Sequence, residues 1–348
     1  MYGARILVVA LLAGGLVALG FLLVPAVNAR DPDTEPLTYH TGATLVCSSC
    51  HTMHYSEGGQ PPSGADTGGP FPKLLLKRNE TDLCLNCHGG GTGPNVMGGG
   101  WPGGQFPATP AVQGRGHNPT GTAANPSTQI PLDSTLGLMP PGSTGGALTE
   151  FTCGTCHDPH GFSNYDTGNA AVFTYRLLRK SIKGPGGASI DVSNTIQSTF
   201  RDAQFSEIES ATNHNVYRSG PTIGDATRGF GKWCASCHGN FHDDGPAFSF
   251  RHPSADELGG LYRNYTLANL ADGYAGGTYH FKYPVETTQG AAATTGTQWA
   301  ITSGSTERVF CLSCHRAHGS ATSNAGRWDF SQSSGAGTGC NKCHRMGE

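Results

Sequence analysis

The sequence predicts a mostly irregular chain with few short helices. The first observation is its 52 glycines and 22 prolines among 348 residues, because both residue types interrupt helices and central strands. The second is that only 14% of the residues are charged, against about 25% in a typical soluble domain. The third is the lack of convincing strand alternation. Such a chain is short of side-chain core, so we expect another component to fill its interior.

Composition also excludes several classes of protein. A formal net charge of −3 argues against a nucleic-acid-binding protein, which would carry a basic excess. A disordered acidic or basic chain would be far more charged. Coiled coils and helical solenoids do not tolerate this much glycine and proline. The length alone is compatible with about two domains.

The N-terminal segment predicts export. An apolar run covers residues 6–24, behind the single charge of Arg5, and a small-residue cleavage site ends at Ala29. We therefore expect a secretory signal peptide over residues 1–29 and one mature domain over residues 30–348. The run is longer than the usual signal core, so a retained membrane anchor of about 20 residues stays open as an alternative. Both interpretations place the rest of the chain outside the cytoplasm.

All twelve cysteines lie in one repeated motif, Cys-x-x-Cys-His. In an exported protein, twelve cysteines would first suggest disulfides. A histidine directly after every pair favours a different chemistry, because this run is the attachment motif for c-type haem. Zinc sites need sets of four ligands and give no reason for that histidine. The motifs are Cys47, Cys50 and His51; Cys84, Cys87 and His88; Cys153, Cys156 and His157; Cys234, Cys237 and His238; Cys311, Cys314 and His315; and Cys340, Cys343 and His344.

Six motifs predict six covalent haems. In each motif the two thiols bond the haem vinyl groups, and the histidine becomes the proximal iron ligand. The porphyrins are large apolar discs and supply the core that the chain itself lacks. The fold class is therefore a multihaem cytochrome c whose core is built from stacked haems, and glycine-rich loops wrap around them.

The remaining histidines predict the opposite iron ligand. Nine histidines lie outside the motifs, and only four methionines remain after the initiator Met1, so two histidines per iron are expected. Such iron has no open position for a substrate, which indicates an electron carrier and not an enzyme. The nine are His40, His54, His117, His160, His214, His242, His252, His280 and His318.

Three of these histidines follow a proximal histidine by three residues. Two histidines that close can hardly bind opposite faces of one iron, so the second is expected to reach a neighbouring haem. The alternative is a hydrogen bond to a haem propionate or to the backbone. These three are His54, His160 and His318. The other expected ligands are His117, His252 and His280, with His242 and His40 in reserve; His214 is expected to be solvated.

Between the motifs, the chain offers little regular structure. Residues 89–147 are rich in Gly, Pro and Thr and predict an irregular loop. Short helices are expected within 170–182, 200–211 and 256–271. The spacing of the motifs shows no fixed repeat, and no boundary divides the mature chain.

The order of the motifs resembles the OmcS-type hexahaem cytochromes of the outer cell surface, whose subunits polymerise into extracellular nanowires. The resemblance spans residues 39–344 in islands and is absent from 121–150, 181–225 and 286–305. Besides the six haem motifs, the islands are Tyr39-His40-Thr41-Gly42, Met53-His54, Gly116-His117-Asn118, Asp158-Pro159-His160-Gly161, Trp233 before Cys234, Arg251-His252-Pro253, Leu261-Tyr262-Arg263-Asn264-Tyr265 and Arg316-Ala317-His318.

The resemblance implies six stacked haems, each bound by two histidines. It also implies an end-to-end homopolymer in which His54 binds the haem of the His315 motif in the next subunit. The expected partners of the protein are periplasmic or outer-membrane cytochromes and an external electron acceptor, and no nucleic acid is expected to bind. A monomeric periplasmic or surface shuttle with the same haems is the main alternative. A reductase of nitrogen or sulfur oxyanions is disfavoured, because all six motifs are uniform.

Overall fold

The structure is a computed structural model. It describes residues 40, 45–56, 58–91, 93–98, 103–106, 114–122, 124–143, 145–160, 177–179, 181–185, 189–191, 217–218, 230–241, 280–287, 307–332 and 339–342. The chain divides into two compact units, Met1–Val46 and Cys47–Glu348. The predicted boundary between residues 29 and 30 lies outside the described residues and stays a prediction.

The regular elements are short. The helices among the described residues are α1 (Glu80–His88), α2 (Cys153–Cys156), α3 (Phe230–Ala235) and α4 (Cys311–Cys314). Single 3₁₀ turns occur at Cys47–Ser49, Pro72–Leu74, Gly239–Phe241, Ser323–Ala325, Phe330–Gln332 and Gly339–Lys342. The prediction of a mostly irregular chain with few short helices is confirmed.

In the described residues, four strands of two or three residues form two small ladders. Strands β1 (Ser181–Lys183) and β2 (Ser189–Asp191) pair antiparallel. Strands β3 (Tyr217–Arg218) and β4 (Glu286–Thr287) pair in parallel. Most of the segment 170–182, within which a short helix is predicted, lies outside the described residues, and its last two residues belong to β1. The helices predicted over 200–211 and 256–271 lie outside the described residues.

Helix α1 is the longest described helix, and its start follows from its sequence. The Asn79 side chain accepts a hydrogen bond from the backbone N–H of Asp82 at 2.8 Å, which caps the first turn. The carboxylates of Glu80 and Asp82 lie in that turn, where the helix dipole favours negative charge. Leu85 is the apolar residue that anchors the helix in the protein.

Each of the first five motifs folds as a helical turn that gathers its two cysteines and its histidine. In four motifs the backbone N–H of the histidine donates to the carbonyl of the first cysteine, over 2.9–3.0 Å. Positions three and four apart share one side of a helical turn, so the two thiols and the imidazole point the same way. These hydrogen bonds run from His51 to Cys47, from His157 to Cys153, from His238 to Cys234 and from His315 to Cys311.

The apolar core is divided into small clusters. Leu85, Phe106 and Ile130 form one cluster. Another consists of Leu178, Tyr217, Phe310 and Leu312. In the part of the chain that the structure describes, no helix is long and apolar enough to cross a membrane.

Candidate haem sites

Thiols of neighbouring motifs contact each other. The Cys84 and Cys153 side chains are hydrogen-bonded to each other. Cys234 and Cys311 form a second such pair. Consistent with these contacts, α1 packs against α2, and α3 packs against α4. The second motif therefore adjoins the third, and the fourth adjoins the fifth.

Longer-range thiol interactions connect the remaining steps. Burial raises the pKa of Cys50, and the nearby thiol of Cys87 raises it further. Burial and the nearby thiol of Cys237 raise the pKa of Cys156 to about 12. The first motif is thus a neighbour of the second, and the third a neighbour of the fourth. The first five motifs follow one another in space in the order of the sequence.

Backbone carbonyls orient four of the motif histidines. A carbonyl oxygen only accepts hydrogen bonds, so each of these Nδ1 atoms carries the proton and donates it. That tautomer leaves a lone pair on Nε2, the nitrogen that can bind a metal. The donor–acceptor pairs are His51 to Lys73 at 2.9 Å, His88 to Pro94 at 3.1 Å, His238 to Pro141 at 2.6 Å and His315 to Asn324 at 2.7 Å.

Three motif histidines each face a second histidine. The ring centroids are 6.2 Å apart for His51 and His160, 6.2 Å for His157 and His318, and 6.0 Å for His238 and His117. A metal-bound imidazole nitrogen lies about 2 Å from the metal and the ring centre about 1 Å beyond it, so two rings across one metal are about 6 Å apart. All three pairs therefore fit a single iron between two imidazoles.

The sequence predicts that the second histidine of a His-x-x-His run serves another motif, and this ligand role stays a prediction. His160 lies opposite the histidine of the first motif, and His318 lies opposite that of the third. Which histidine meets which could not be deduced from spacing, because the pairs join distant parts of the chain. Within the described residues, no group of three or more His, Cys, Asp and Glu side chains is arranged to hold a bare metal ion.

The surroundings keep these imidazoles neutral. The pKa of His318 is lowered to about 3. Burial is the largest cause, and the nearby rings of His157, His117 and His88 lower it further. Burial also lowers the pKa values of His238 and His315. Only the neutral imidazole has a lone pair for a metal, so the lowered pKa values favour the form of these rings that can bind one.

The remaining expected ligands differ in their surroundings. The His54 side chain is exposed. His280 is only 1% exposed. Its Nδ1 accepts a hydrogen bond from the backbone N–H of Lys282 at 3.0 Å, whereas Nδ1 donates in the four oriented motif histidines. His40 is among the described residues, and its role as a reserve ligand stays a prediction. Cys343, His344, His252, His242 and His214 lie outside the described residues.

A polar contact that the sequence did not predict joins the second and third motifs. Glu80 of α1 accepts a 2.8 Å hydrogen bond from the hydroxyl of Thr152, the residue before α2, and also binds Lys73. Burial alone raises the pKa of Glu80, but the hydrogen bonds from Lys73 and Thr152 outweigh it and hold the pKa below its ordinary value. No sequence motif marks this carboxylate.

Comparison with known proteins supports a multihaem cytochrome. No protein-family model matches the sequence. The C-type cytochrome OmcS of Geobacter sulfurreducens is 28% identical over an alignment of 359 positions, gaps included, which covers 81% of this chain and 78% of that protein. Sequence similarity on this scale agrees with the resemblance found from the motifs.

The fold is similar to that of a solved filament. The outer membrane cytochrome S filament from Geobacter sulfurreducens matches with a TM-score of 0.51 and 22% identity, covering 82% of this chain and 84% of that one. A second structure, of OmcS nanowires from the same organism, matches with a TM-score of 0.48 and 23% identity. In sequence and in fold, the chain resembles an OmcS-type cytochrome.

Proposed function

We propose that the chain is an exported electron-transfer protein that carries six covalently bound c-type haems and assembles into a conductive filament. The observation that carries this proposal is the set of three histidine pairs, spaced for one iron each, beside motifs that follow one another in space. Haem iron bound by two histidines exchanges one electron, and closely spaced haems pass it along.

The attachment and ligand roles follow the motifs. Both cysteines of each motif hold a haem, and the following histidine binds its iron. On the opposite faces, His160 completes the site of His51, His318 that of His157 and His117 that of His238. For the other three sites the proposed ligands are His54, His252 and His280, with His242 and His40 in reserve.

The chain is an electron carrier and not an enzyme. Two protein ligands on each iron leave no position where a substrate could bind and react. The protein residues act by fixing the imidazoles through Nδ1 hydrogen bonds and by keeping neighbouring motifs in contact. The relative identified by sequence is itself named a C-type cytochrome.

Assembly is proposed to occur end to end, with His54 as the ligand that crosses between subunits. Its side chain is exposed, and in the described part of the chain no ring contact or side-chain hydrogen bond holds it. The recipient is the His315 site, whose imidazole is already oriented by the Asn324 carbonyl. The structural relative with the matching fold was solved as a filament. Export would follow from a signal peptide over 1–29, leaving residues 30–348 as the hexahaem domain.

Haem content and spin state test the carrier proposal. The pyridine haemochrome assay on the purified mature protein should give six haems per chain, and electron paramagnetic resonance should show only low-spin iron. Fewer haems, or a high-spin signal in the intact filament, would contradict the proposed ligand set.

A pair of adjacent substitutions tests the assembly proposal. His54→Ala should abolish filaments in electron micrographs, because the ligand between subunits is removed. Met53→Ala is the matched control, since Met53 is 85% exposed and directly precedes His54. Filaments that persist in His54→Ala would contradict the crossing role. If both variants lose their filaments, assembly depends on the surface around residues 53 and 54 and not on iron binding by His54.

A further inference from the structure

Three segments of the chain meet backbone to backbone at Gly104, Gly116 and Gly319. Gly319 forms a parallel bridge with Gly104 and an antiparallel bridge with Gly116. The Gln105 N–H donates to the Gly319 carbonyl at 3.0 Å, and the Ser320 N–H donates to the Arg115 carbonyl at 2.9 Å. We call this contact the glycine crossing.

The glycine crossing has no room for a side chain. A Cβ atom on Gly116 would lie 2.6 Å from the Gly319 Cα and would overlap the His318 carbonyl oxygen. One on Gly319 would lie 2.6 Å from the Gln105 carbonyl oxygen. Gly104 has a φ of +82°, which also favours glycine, and a Cβ there would overlap the Gly319 carbonyl. Any larger residue must push the segments apart.

Two proposed iron ligands are attached directly to the glycine crossing. His117 follows Gly116 and donates its backbone N–H to the His318 carbonyl at 3.1 Å. Its ring Nδ1 donates to the Ala317 carbonyl. His318 precedes Gly319 and donates its backbone N–H to the Gly103 carbonyl at 2.7 Å. Neither histidine can keep its place if the segments separate.

The rings of these two histidines serve different sites. His117 faces His238 of the fourth motif, and His318 faces His157 of the third. Phe106, from the same segment as Gly104, stacks on the His318 ring with centroids 4.3 Å apart. A single backbone contact therefore borders two neighbouring sites.

We infer that the glycine crossing positions the distal ligands of two neighbouring haems together, with Gly104, Gly116 and Gly319 as positioning residues. This inference rests on the proposed function, because His117 and His318 are ligands there. Ligand constellations must be held to within about 0.5 Å. Separating the segments by the width of a methyl group exceeds that tolerance for both rings at once.

Gly116→Ala is the direct test, and Gly114→Ala is its matched control. Gly114 lies two residues away with a φ of +73°, but a Cβ there would meet nothing within 4 Å. We expect Gly116→Ala to keep six covalent haems while two of the six change from low-spin to high-spin iron. Added imidazole should restore the low-spin signal of both. Gly114→Ala should keep all six haems low-spin.

Two single-ligand variants separate this inference from the proposed function. His117→Ala and His318→Ala should each convert one haem to high spin. If they do not, the ligand assignment of the proposed function fails. If they do and Gly116→Ala still has six low-spin haems, the positioning role of the glycine crossing is overturned.

Should Gly116→Ala fail to mature, Gly103→Ala displaces one of the two positioned rings directly and leaves the three glycines in place. A Cβ on Gly103 would approach only the His318 ring, at 3.3 Å from Nδ1. We expect six covalent haems and an altered low-spin signal from a single haem. An unaltered spectrum from this variant would overturn the premise that a small displacement of the His318 ring beside the glycine crossing changes its iron, and with it the positioning role.

Discussion

The imidazole rings of His51 and His160 lie 6.2 Å apart with their planes inclined by only 15°. His51 belongs to the first haem motif, and His160 follows the third motif by three residues. A histidine that lies beside one motif in the sequence thus faces the histidine of another motif. The same relationship holds for His157 and His318, so under the proposed function each of these histidine pairs would join two motifs through one iron.

Removing His160 should affect the first haem site alone. We expect His160→Ala to retain six covalent haems and to convert one of them to high spin, because the iron beside His51 loses its second imidazole. Electron paramagnetic resonance of the purified protein measures the change. His214→Ala is the control, since His214 is predicted to be solvated. Identical spectra of the two variants would rule out His160 as a ligand.

The contact between α1 and α2 should depend on pH through Glu80. Its pKa is held below the ordinary 4.5, so the ionised form stabilises the folded state above that pH, and the contribution is lost as the pH falls through the folded value. Glu80→Gln should lower stability at neutral pH and flatten the acid limb of the stability profile. Chemical denaturation from neutral pH to below 4.5 measures both effects.

The surface residue Glu150 supplies the comparison for Glu80. Glu150→Gln should leave both the neutral stability and the acid limb unchanged. If Glu80→Gln gives the same profile as Glu150→Gln, the contact with Thr152 contributes nothing to stability.

Loss of the helix cap should weaken α1 measurably. Asn79 is 8% exposed and its side chain accepts the N–H of Asp82. Asn79→Ala is expected to lower the free energy of unfolding by about 1 kcal/mol. The exposed Gln129 is the control, and Gln129→Ala should stay within about 0.5 kcal/mol of the unsubstituted protein. Equal denaturation midpoints for the two variants would refute the cap.

The small apolar clusters should still contribute to stability. Ile130 is 0% exposed and packs in the cluster with Leu85 and Phe106. Ile130→Ala should cost about 2–5 kcal/mol through lost burial and a cavity. Ile130→Val, which removes one methylene, should cost about 0.5–1.5 kcal/mol. If the two substitutions lower the free energy of unfolding equally, the surrounding residues close around either smaller side chain and the expected cavity does not form.

Much of the fold class and of the candidate site followed from the sequence. Glycine and proline content predicted the short elements, and the uniform motifs identified the side chains that gather on one turn. Local spacing also explains why His160 and His318 turn away from their own motifs. In each case the information lies within a few residues, where spacing dictates geometry.

The remaining features depend on contacts between distant segments. His117 meets His238 because the glycine crossing brings its loop beside Ala317, and no local pattern encodes that meeting. Strand β1 begins at the end of the segment in which a short helix was expected, and it depends on pairing with β2 from further along the chain. The role of Glu80 likewise depends on a partner, Thr152, that lies far away in the sequence.

The most direct test of the central claim is a cryo-electron microscopy structure of the mature protein purified from its host. The account predicts helical filaments in which His54 of one subunit lies within bonding distance of the iron at the His315 site of the next. It also predicts imidazole pairs at the sites of His51, His157 and His238. Isolated monomers, each with six low-spin haems and His54 bound within its own chain, would contradict the filament.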